Sequence, residues 1–176
     1  IGKLKENKHE AFIVGGAVRD LLLKKNPDEF DICTSATPEE IQTIFNRTKA
    51  VGQSFGVILV LIDNVSIEVA TFRKDMVYTD GRHPDKVIYT KNVEEDIERR
   101  DFTINGLLLN PDNGEVFDYC KGIEDIKSKI IRTIGIPDKR FSEDYLRMLR
   151  AIRFSNRFGF KIEQNTSDAL LDNSEK

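Results

Sequence analysis

The stretch "AFIVGGAVRDLLL" (Ala11 to Leu23) constrains the fold more than any other. Four apolar residues run into two glycines, and helical apolar spacing begins at once, with no linker between. A short buried strand feeding straight into a helix belongs to an α/β layer, because the two elements must pack against each other. The glycines permit φ values closed to other residues. They also leave backbone N–H groups at the positive end of a helix, where an anion binds. Arg19, on the first turn, adds a charged donor. A plain strand–helix turn would need the same glycines, and the spacing matches neither GxGxxG nor a Walker loop.

The next segment, "DEFDICT", alternates like a strand, with Glu29, Asp31 and Cys33 on one face and Phe30 and Ile32 on the other. Two carboxylates on one face repel unless a cation joins them, and Mg²⁺ suits such a pair. Two solvated acids on an edge strand are the plain alternative. "TPEEIQTIF" starts a helix with Thr37 as N-cap, Pro38 at the first position and Glu40 closing a capping box. "FGVILVLIDNVSIEVATF" is a hairpin turning at "IDN", with Glu68 a further acid on a neighbouring strand. "RKDMVYTDGRHPDK" is polar and rich in turn signals, which predicts a mobile surface loop.

A strand "KVIYT", a helix "NVEEDIERR" and a strand "DFTINGLLLN" follow, closed by the turn "PDNGE". Arg99 and Arg100 end that helix, where cations complement its dipole. Alternatively Arg100 reaches a triphosphate, and Asn105, on the following strand, binds a sugar hydroxyl or holds the site's geometry. Beyond Tyr119 the pattern turns helical, with strand character returning only at "FKIE". The division is therefore 1–119 for a sheet domain and 120–176 for a helical element. In "EDYLRMLRAIRF", Asp144, Arg147, Arg150 and Arg153 recur every third residue, close to one helical face. Leu146, Met148, Leu149, Ile152 and Phe154 supply its core face. A carboxylate beside a guanidinium can hydrogen-bond the edge of a base. The plain alternative is an intrahelical ion pair worth ~0.3–0.5 kcal/mol.

The formal charge of −3 gives no sign of nucleic acid, but the distribution does. From Lys127 to Lys161 ten cations stand against three acids, a local basic element on a more acidic body. Two distant cysteines, Cys33 and Cys120, argue against a zinc site or disulfide framework. No apolar run approaches the ~18 residues that span a bilayer, so the expected compartment is the cytoplasm. Starting at Ile1 and stopping in an amphipathic pattern, the chain reads as a fragment.

Together "GGAVRDLLL", "EFDICTSATPEE", "VGQSFGVI", "EVATFRKD", "DGRHP", "EEDIERRDFTIN", "KIIRTIG" and "EDYLRMLRAIRF" resemble the class II tRNA nucleotidyltransferases. These are the CCA-adding enzymes, with the bacterial poly(A) polymerases as close relatives. The resemblance implies an α/β (α+β) polymerase-β-like nucleotidyltransferase head with a mixed β-sheet, followed by an α-helical neck. It implies template-independent transfer of CMP and AMP from CTP and ATP to the 3′ end of tRNA. The catalytic, Mg²⁺-binding acids would be Glu29 and Asp31. Gly15, Gly16, Arg19, Arg100, Asn105, Asp144, Arg147, Arg150 and Arg153 would bind nucleotide.

Where the family has Asp-x-Asp, this chain has Glu29-Phe30-Asp31, preceded by Asp28. The alternatives are poly(A) synthesis, addition of only CC or A, or a weakened nucleotide- or RNA-binding module. "VGQSFGVI" resembles the CCA-adding side, since poly(A) polymerases carry basic residues where Ser54 and Gly56 stand. "RKDMVYTDGRHP" resembles a loop linked to A addition. The family's body and tail domains have no counterpart in these residues, and oligomeric state stays open.

Overall fold

A computed structural model describes residues 1–52 and 55–175. Helix Gly2–Glu6 (α1) leads into strand Ala11–Val14 (β1), helix Gly16–Leu22 (α2), strand Asp31–Thr34 (β2) and helix Pro38–Ile44 (α3). Strands Thr48–Gly52 (β3), Val57–Ile62 (β4) and Val65–Thr71 (β5) follow, then Arg73–Asp75 (β6), Val87–Tyr89 (β7) and helix Val93–Glu98 (α4). Strands Leu107–Asn110 (β8) and Glu115–Asp118 (β9) precede helix Gly122–Ser128 (α5), strand Ile130–Ile131 (β10) and helix Pro137–Glu143 (α6). Helix Leu146–Phe158 (α7), strand Lys161–Ile162 (β11) and helix Gln164–Asp172 (α8) complete the order.

The main sheet is mixed, in the order β3-β4-β5-β2-β1-β8-β9. Its pairs are antiparallel except β2 with β5, which run parallel with Ile32 opposite Val69. One face packs Ala11, Ile32, Ile58, Val60 and Val69 under α1 and α3. The other packs Val14, Cys33, Phe72 and Leu108 against Val93 and Ile97 of α4. A third cluster joins Val18, Phe102 and Leu107 to Ile126, Ala151 and Phe154, so one core runs across residue 119.

Local chemistry explains the elements that follow expectation. Thr37 Oγ1 accepts from the Glu40 N–H at 3.3 Å, and Glu40 Oε2 accepts from the Thr37 N–H at 2.7 Å. That reciprocal cap starts α3 at Pro38. The β4–β5 turn places Asp63 and Asn64 at φ 46° and 67°, the left-handed pair that a tight hairpin requires.

Elsewhere the structure departs from expectation. "RKDMVYTDGRHPDK" begins as strand: β6 pairs antiparallel with β7, and the ribbon continues through Met76 N–H to Lys86 O at 2.9 Å. Polar residues make a strand here because Arg73 and Asp75, two apart on one face, satisfy each other at 2.8 Å. Asn105 is not on a strand. Residues Thr103–Asn105 form a 3₁₀ turn, because Phe102 is already bridged to Thr133 and the Thr103 N–H to Arg132 O. "GIEDIKSKIIRTIG" is not one helix either: Lys129, at φ 58°, ends α5, and β10 then pairs in parallel with β11.

The predicted helix through Asp144 is two helices. Asp144 adopts φ −145° and ψ 103°, and its carboxylate accepts the Leu146 N–H at 3.1 Å. The short side chain restarts the helix instead of continuing it. Asp144 therefore does not share a helical face with Arg147, Arg150 and Arg153. The expected core face of α7 is also corrected, since Leu146, Leu149 and Ile152 are exposed while Arg147, Ala151 and Phe154 are buried.

Candidate active site

A cavity of about 470 Å³ opens where the β1–α2 turn, the start of β2, the end of α4, the β6–β7 ribbon and α7 converge. Of the eleven residues expected at a site, nine line it: Gly15, Gly16, Arg19, Asp31, Arg100, Asn105, Asp144, Arg147 and Arg150. Glu29 and Arg153 do not. Seven arginines stand there against four aspartates, a balance suited to a polyanion.

Gly15 sits at φ 76° and ψ −130°, which strains any side-chain-bearing residue. A Cβ on Gly16 would lie 3.4 Å from Arg19 Nη2, so its absence leaves the guanidinium room. Being only seven residues long, α2 contributes little dipole; no side chain caps its first turn. Arg19 is buried and held on every side. Its Nη1 donates to Asn105 Oδ1 at 2.6 Å and its Nε to Asp20 at 2.9 Å. Its guanidinium lies 5.4 Å from the Phe154 ring and 4.6 Å from the Phe158 ring. Asn105 in turn donates to Asp101 Oδ1 at 3.1 Å, and Arg150 donates to Asp101 Oδ2 at 2.7 Å. One buried aspartate thus links the turn to α7.

A second aspartate holds the adjoining wall. Asp96 is fully buried, its Oδ1 accepting from Arg99 at 2.7 Å and its Oδ2 from Arg100 at 2.8 Å. Burial opposes its charge, but Arg100 and Arg99 prevail and hold the carboxyl below the ordinary range. The Arg73 N–H also donates to Asp96, at 3.2 Å. Arg73 further reaches Asp75 and the carbonyl of Phe55. These guanidiniums cannot swing freely, and that fixes where a ligand anion would sit.

The floor is different. In β2, Ile32 lies opposite Val69 of β5; one residue earlier on each strand stand Asp31 and Glu68. Asp31, Glu29 and Glu68 gather along a groove with Leu59 and Ile67, and Asp31 belongs to both the groove and the cavity. Glu29 precedes β2 instead of alternating within it, so the predicted shared strand face holds only for Asp31 and Cys33. Burial raises the Asp31 carboxyl, Arg100 works against that, and Glu29 adds to it. Burial likewise raises Glu68, helped by Asp31 and Glu29. No hydrogen bond or ion pair compensates these three side chains among the described residues. They do not close into a three-ligand cage there.

On the helical side, Arg147 donates to Glu143 at 2.9 Å and to the carbonyls of Arg140 and Arg99 at 3.1 and 3.0 Å. Three of its N–H donors are thereby committed, leaving two of the five a guanidinium carries. Asp144 is gripped by Arg82 from the ribbon, at 2.9 and 3.2 Å. Beside it the Tyr145 N–H donates to Gly81 O at 3.0 Å. A Cβ on Gly81 would strike the Tyr145 ring at 2.2 Å.

Sequence reasoning passed over Asp96, Asp101, Arg73, Asp75 and Arg82. The spacing of Asp96 to Arg99 and Arg100, three and four residues, was a readable helical signal. Asp101 and the ribbon residues act across long separations that no local pattern reveals. Ser54, cited against poly(A) synthesis, lies outside the described residues.

Residues 11–132 match the family described as the Poly A polymerase head domain. The CCA-adding enzyme of Leuconostoc mesenteroides is 47% identical over 170 residues, which are 97% of this chain and 42% of that enzyme. The crystal structure of the Bacillus stearothermophilus CCA-adding enzyme in complex with CTP superposes with a TM-score of 0.91 at 40% identity, over 99% of this chain and 42% of that one. A tRNA nucleotidyltransferase complexed with a primer tRNA and an incoming ATP analog gives 0.77 at 32% identity, over 98% of this chain and 48% of that one. The chain thus spans less than half the length of these relatives.

Proposed function

We propose a function from one premise, that the chain belongs to the poly(A) polymerase head-domain family. It carries the catalytic part of a tRNA nucleotidyltransferase, moving CMP and AMP from CTP and ATP to the 3′ end of tRNA without a nucleic-acid template. The RNA 3′-hydroxyl attacks the α-phosphorus, a phosphodiester bond forms, the bond to the β-phosphate breaks, and pyrophosphate leaves. One observation carries the reading. A glycine–arginine turn, an unpaired carboxylate and a helix bearing base-edge donors meet in a single cavity. Residues 1–119 act as the catalytic head and 120–176 as the neck, in the cytoplasm. No helix among the described residues is long and apolar enough to cross a membrane.

The floor fits Mg²⁺, which takes one or two carboxylates together with substrate phosphates and needs no closed protein cage. Asp31 would hold it, with Glu29 and Glu68 nearby. When bound, the ion neutralises phosphate charge and acidifies the attacking hydroxyl. The chain's own groups do the rest. Gly15, Gly16, Arg19 and Arg100 bind the triphosphate, and Asn105 keeps Arg19 aimed while meeting the sugar. Asp144 accepts from the exocyclic amino group of cytosine or adenine, and Arg147 donates to the neighbouring ring nitrogen. Guanine and uracil present the opposite order there and are refused. The base's amino group would take the place of the Arg82 guanidinium on Asp144.

Gly56 supports CCA addition over poly(A) synthesis. It sits at φ +74°, and a Cβ there would meet the Tyr89 ring at 2.8 Å, so a basic side chain has no room. The test supplies the full chain with Mg²⁺, labelled CTP and ATP, and tRNA lacking its 3′ terminus. Two cytidines followed by one adenosine is the expected product. A long adenosine tail, or no addition at all, would overturn the reading.

A further inference from the structure

Nine of the twelve arginines of this chain pair with acids; among the described residues Arg47, Arg153 and Arg157 do not. Arg19, Arg73, Arg82, Arg99, Arg100, Arg132, Arg140, Arg147 and Arg150 each pair with a carboxylate. Arg153 and Arg157, one turn apart on α7, are exposed and have no carboxylate partner among the described residues. Lys25, just beyond α2, is likewise exposed and unpaired. Exposed lysines without an acid partner occur elsewhere as well, among them Lys8, Lys49 and Lys86, so it is the aromatic setting of Lys25 and Arg157 that sets this place apart.

What gathers two of them is an aromatic side chain. Lys25 Nζ lies 5.2 Å from the centre of the Phe158 ring, and the Arg157 guanidinium lies 5.4 Å from it. Arg19 approaches the same ring at 4.6 Å and the Phe154 ring at 5.4 Å. Arg150 approaches Phe154 at 5.2 Å. The two rings stack 6.0 Å apart at 18°. Cation and ring therefore alternate in a ladder from Arg150, Phe154 and Arg19, which line the cavity, outward to Phe158, Lys25 and Arg157, which do not. The inner rungs are closed by Asp101 and Asp20; the outer rungs have only the ring.

We propose that the outer end of this ladder, Lys25 and Arg157 around Phe158 with Arg153 one turn away, is a contact surface for the phosphodiester backbone of the RNA acceptor strand. This rests on the nucleotidyltransferase reading. Exposed cations without acids suit a polyanion, since each backbone phosphate they neutralise releases a condensed counterion. Cations interleaved with aromatic rings form the kind of surface that binds single-stranded nucleic acid without reading its sequence. The surface also adjoins the cavity, so a strand held there has its end beside the reacting groups. Arg153, which the resemblance assigns to nucleotide, belongs on this outer surface, because it does not line the cavity.

The test compares the full chain with its Lys25→Gln/Arg157→Gln variant, two exposed substitutions that break no ion pair. Binding of fluorescein-labelled tRNA lacking its 3′ CCA is followed against salt concentration, alongside CTP binding without RNA. The expected result is RNA affinity lowered roughly tenfold at low salt, and a log–log salt slope reduced by about 0.7 per lost cation. CTP affinity stays within about twofold, since neither residue lines the cavity. Unchanged RNA affinity and slope would overturn the proposal while leaving the enzymatic reading intact. An equal loss toward CTP, or toward poly-glutamate as toward RNA, would also overturn it. If the unaltered chain adds nucleotides to no RNA and binds none, both readings fall together.

Discussion

Asp96 and Asp31 both feel the charge of Arg100, with opposite outcomes. Asp96 is enclosed by Arg99 and Arg100 and titrates below the ordinary carboxylate range. Asp31 faces Glu29 and the nearby Glu68, and burial outweighs Arg100 to raise it. The wall of the cavity is a charge network the protein completes by itself; the floor is one it leaves incomplete. A buried carboxylate with two guanidiniums holds geometry, whereas the partly desolvated Asp31 and Glu68, with no ion pair among the described residues, carry charge that the proposed Mg²⁺ would neutralise.

The contrast breaks or sharpens under four changes. Asp31→Asn should lower nucleotide transfer by roughly 10²–10³-fold or more, with thermal stability unchanged or slightly raised. A Tm loss comparable to the activity loss would contradict the floor's assignment. Asp96→Asn should do the reverse, costing about 3–5 kcal/mol in urea unfolding because two buried guanidiniums lose their charge partner. The sign for pH follows. Asp96, lowered when folded, stabilises the protein above the unfolded value of 3.8 and loses that contribution as pH falls below it. Asp31, raised when folded, costs stability as pH climbs through 3.8, until a cation binds.

Third, Mg²⁺ at about 100 times its Kd should stabilise the unaltered chain by about 2.7 kcal/mol, read from the Tm. Glu68→Gln should weaken that response, and so should acidification toward the raised carboxyl values. A response equal in Asp31→Asn would place the ion elsewhere. The smallest effect concerns Arg82→Ala. The Arg82–Asp144 pair is half exposed on the arginine side, so stability should change by about 0–1 kcal/mol. The ratio of CTP to ATP use should nevertheless shift, as it should for Asp144→Asn. An unchanged ratio in both would remove Asp144 from base selection.

What the sequence made legible was whatever depends on near neighbours. The β1–glycine–α2 turn, the capping box of α3 and the β4–β5 hairpin follow from residues within a few positions of each other. Nine of the eleven expected site residues line one cavity, but they come from segments far apart in the chain. Their grouping is an expectation from the resemblance and not from local pattern. Long-range partners set what was missed. Asn105 leaves the strand because Phe102 and Thr103 are bound to residues 132 and 133. Arg73 and Asp75 become strand because Val87–Tyr89 return beside them. Helical spacing carried the prediction straight through Asp144, where an aspartate that can cap the next turn divides the helix.

The small parallel pair β10–β11 has a consequence for engineering. It sets Ile131 beside Ile162, so the intervening segment, which holds α6 and α7, leaves and re-enters the fold at points about 5 Å apart. A stretch whose ends nearly touch can be exchanged as a cartridge. Residues 132–161 from a relative with another nucleotide preference could be inserted with the seven-stranded sheet and its acids left as they are. The graft would have to match every contact that crosses its faces, among them Arg150 with Asp101, Arg82 with Asp144, Arg147 with the Arg99 carbonyl, the Phe102–Thr133 bridge, and Phe154 packed with Val18 and Phe102.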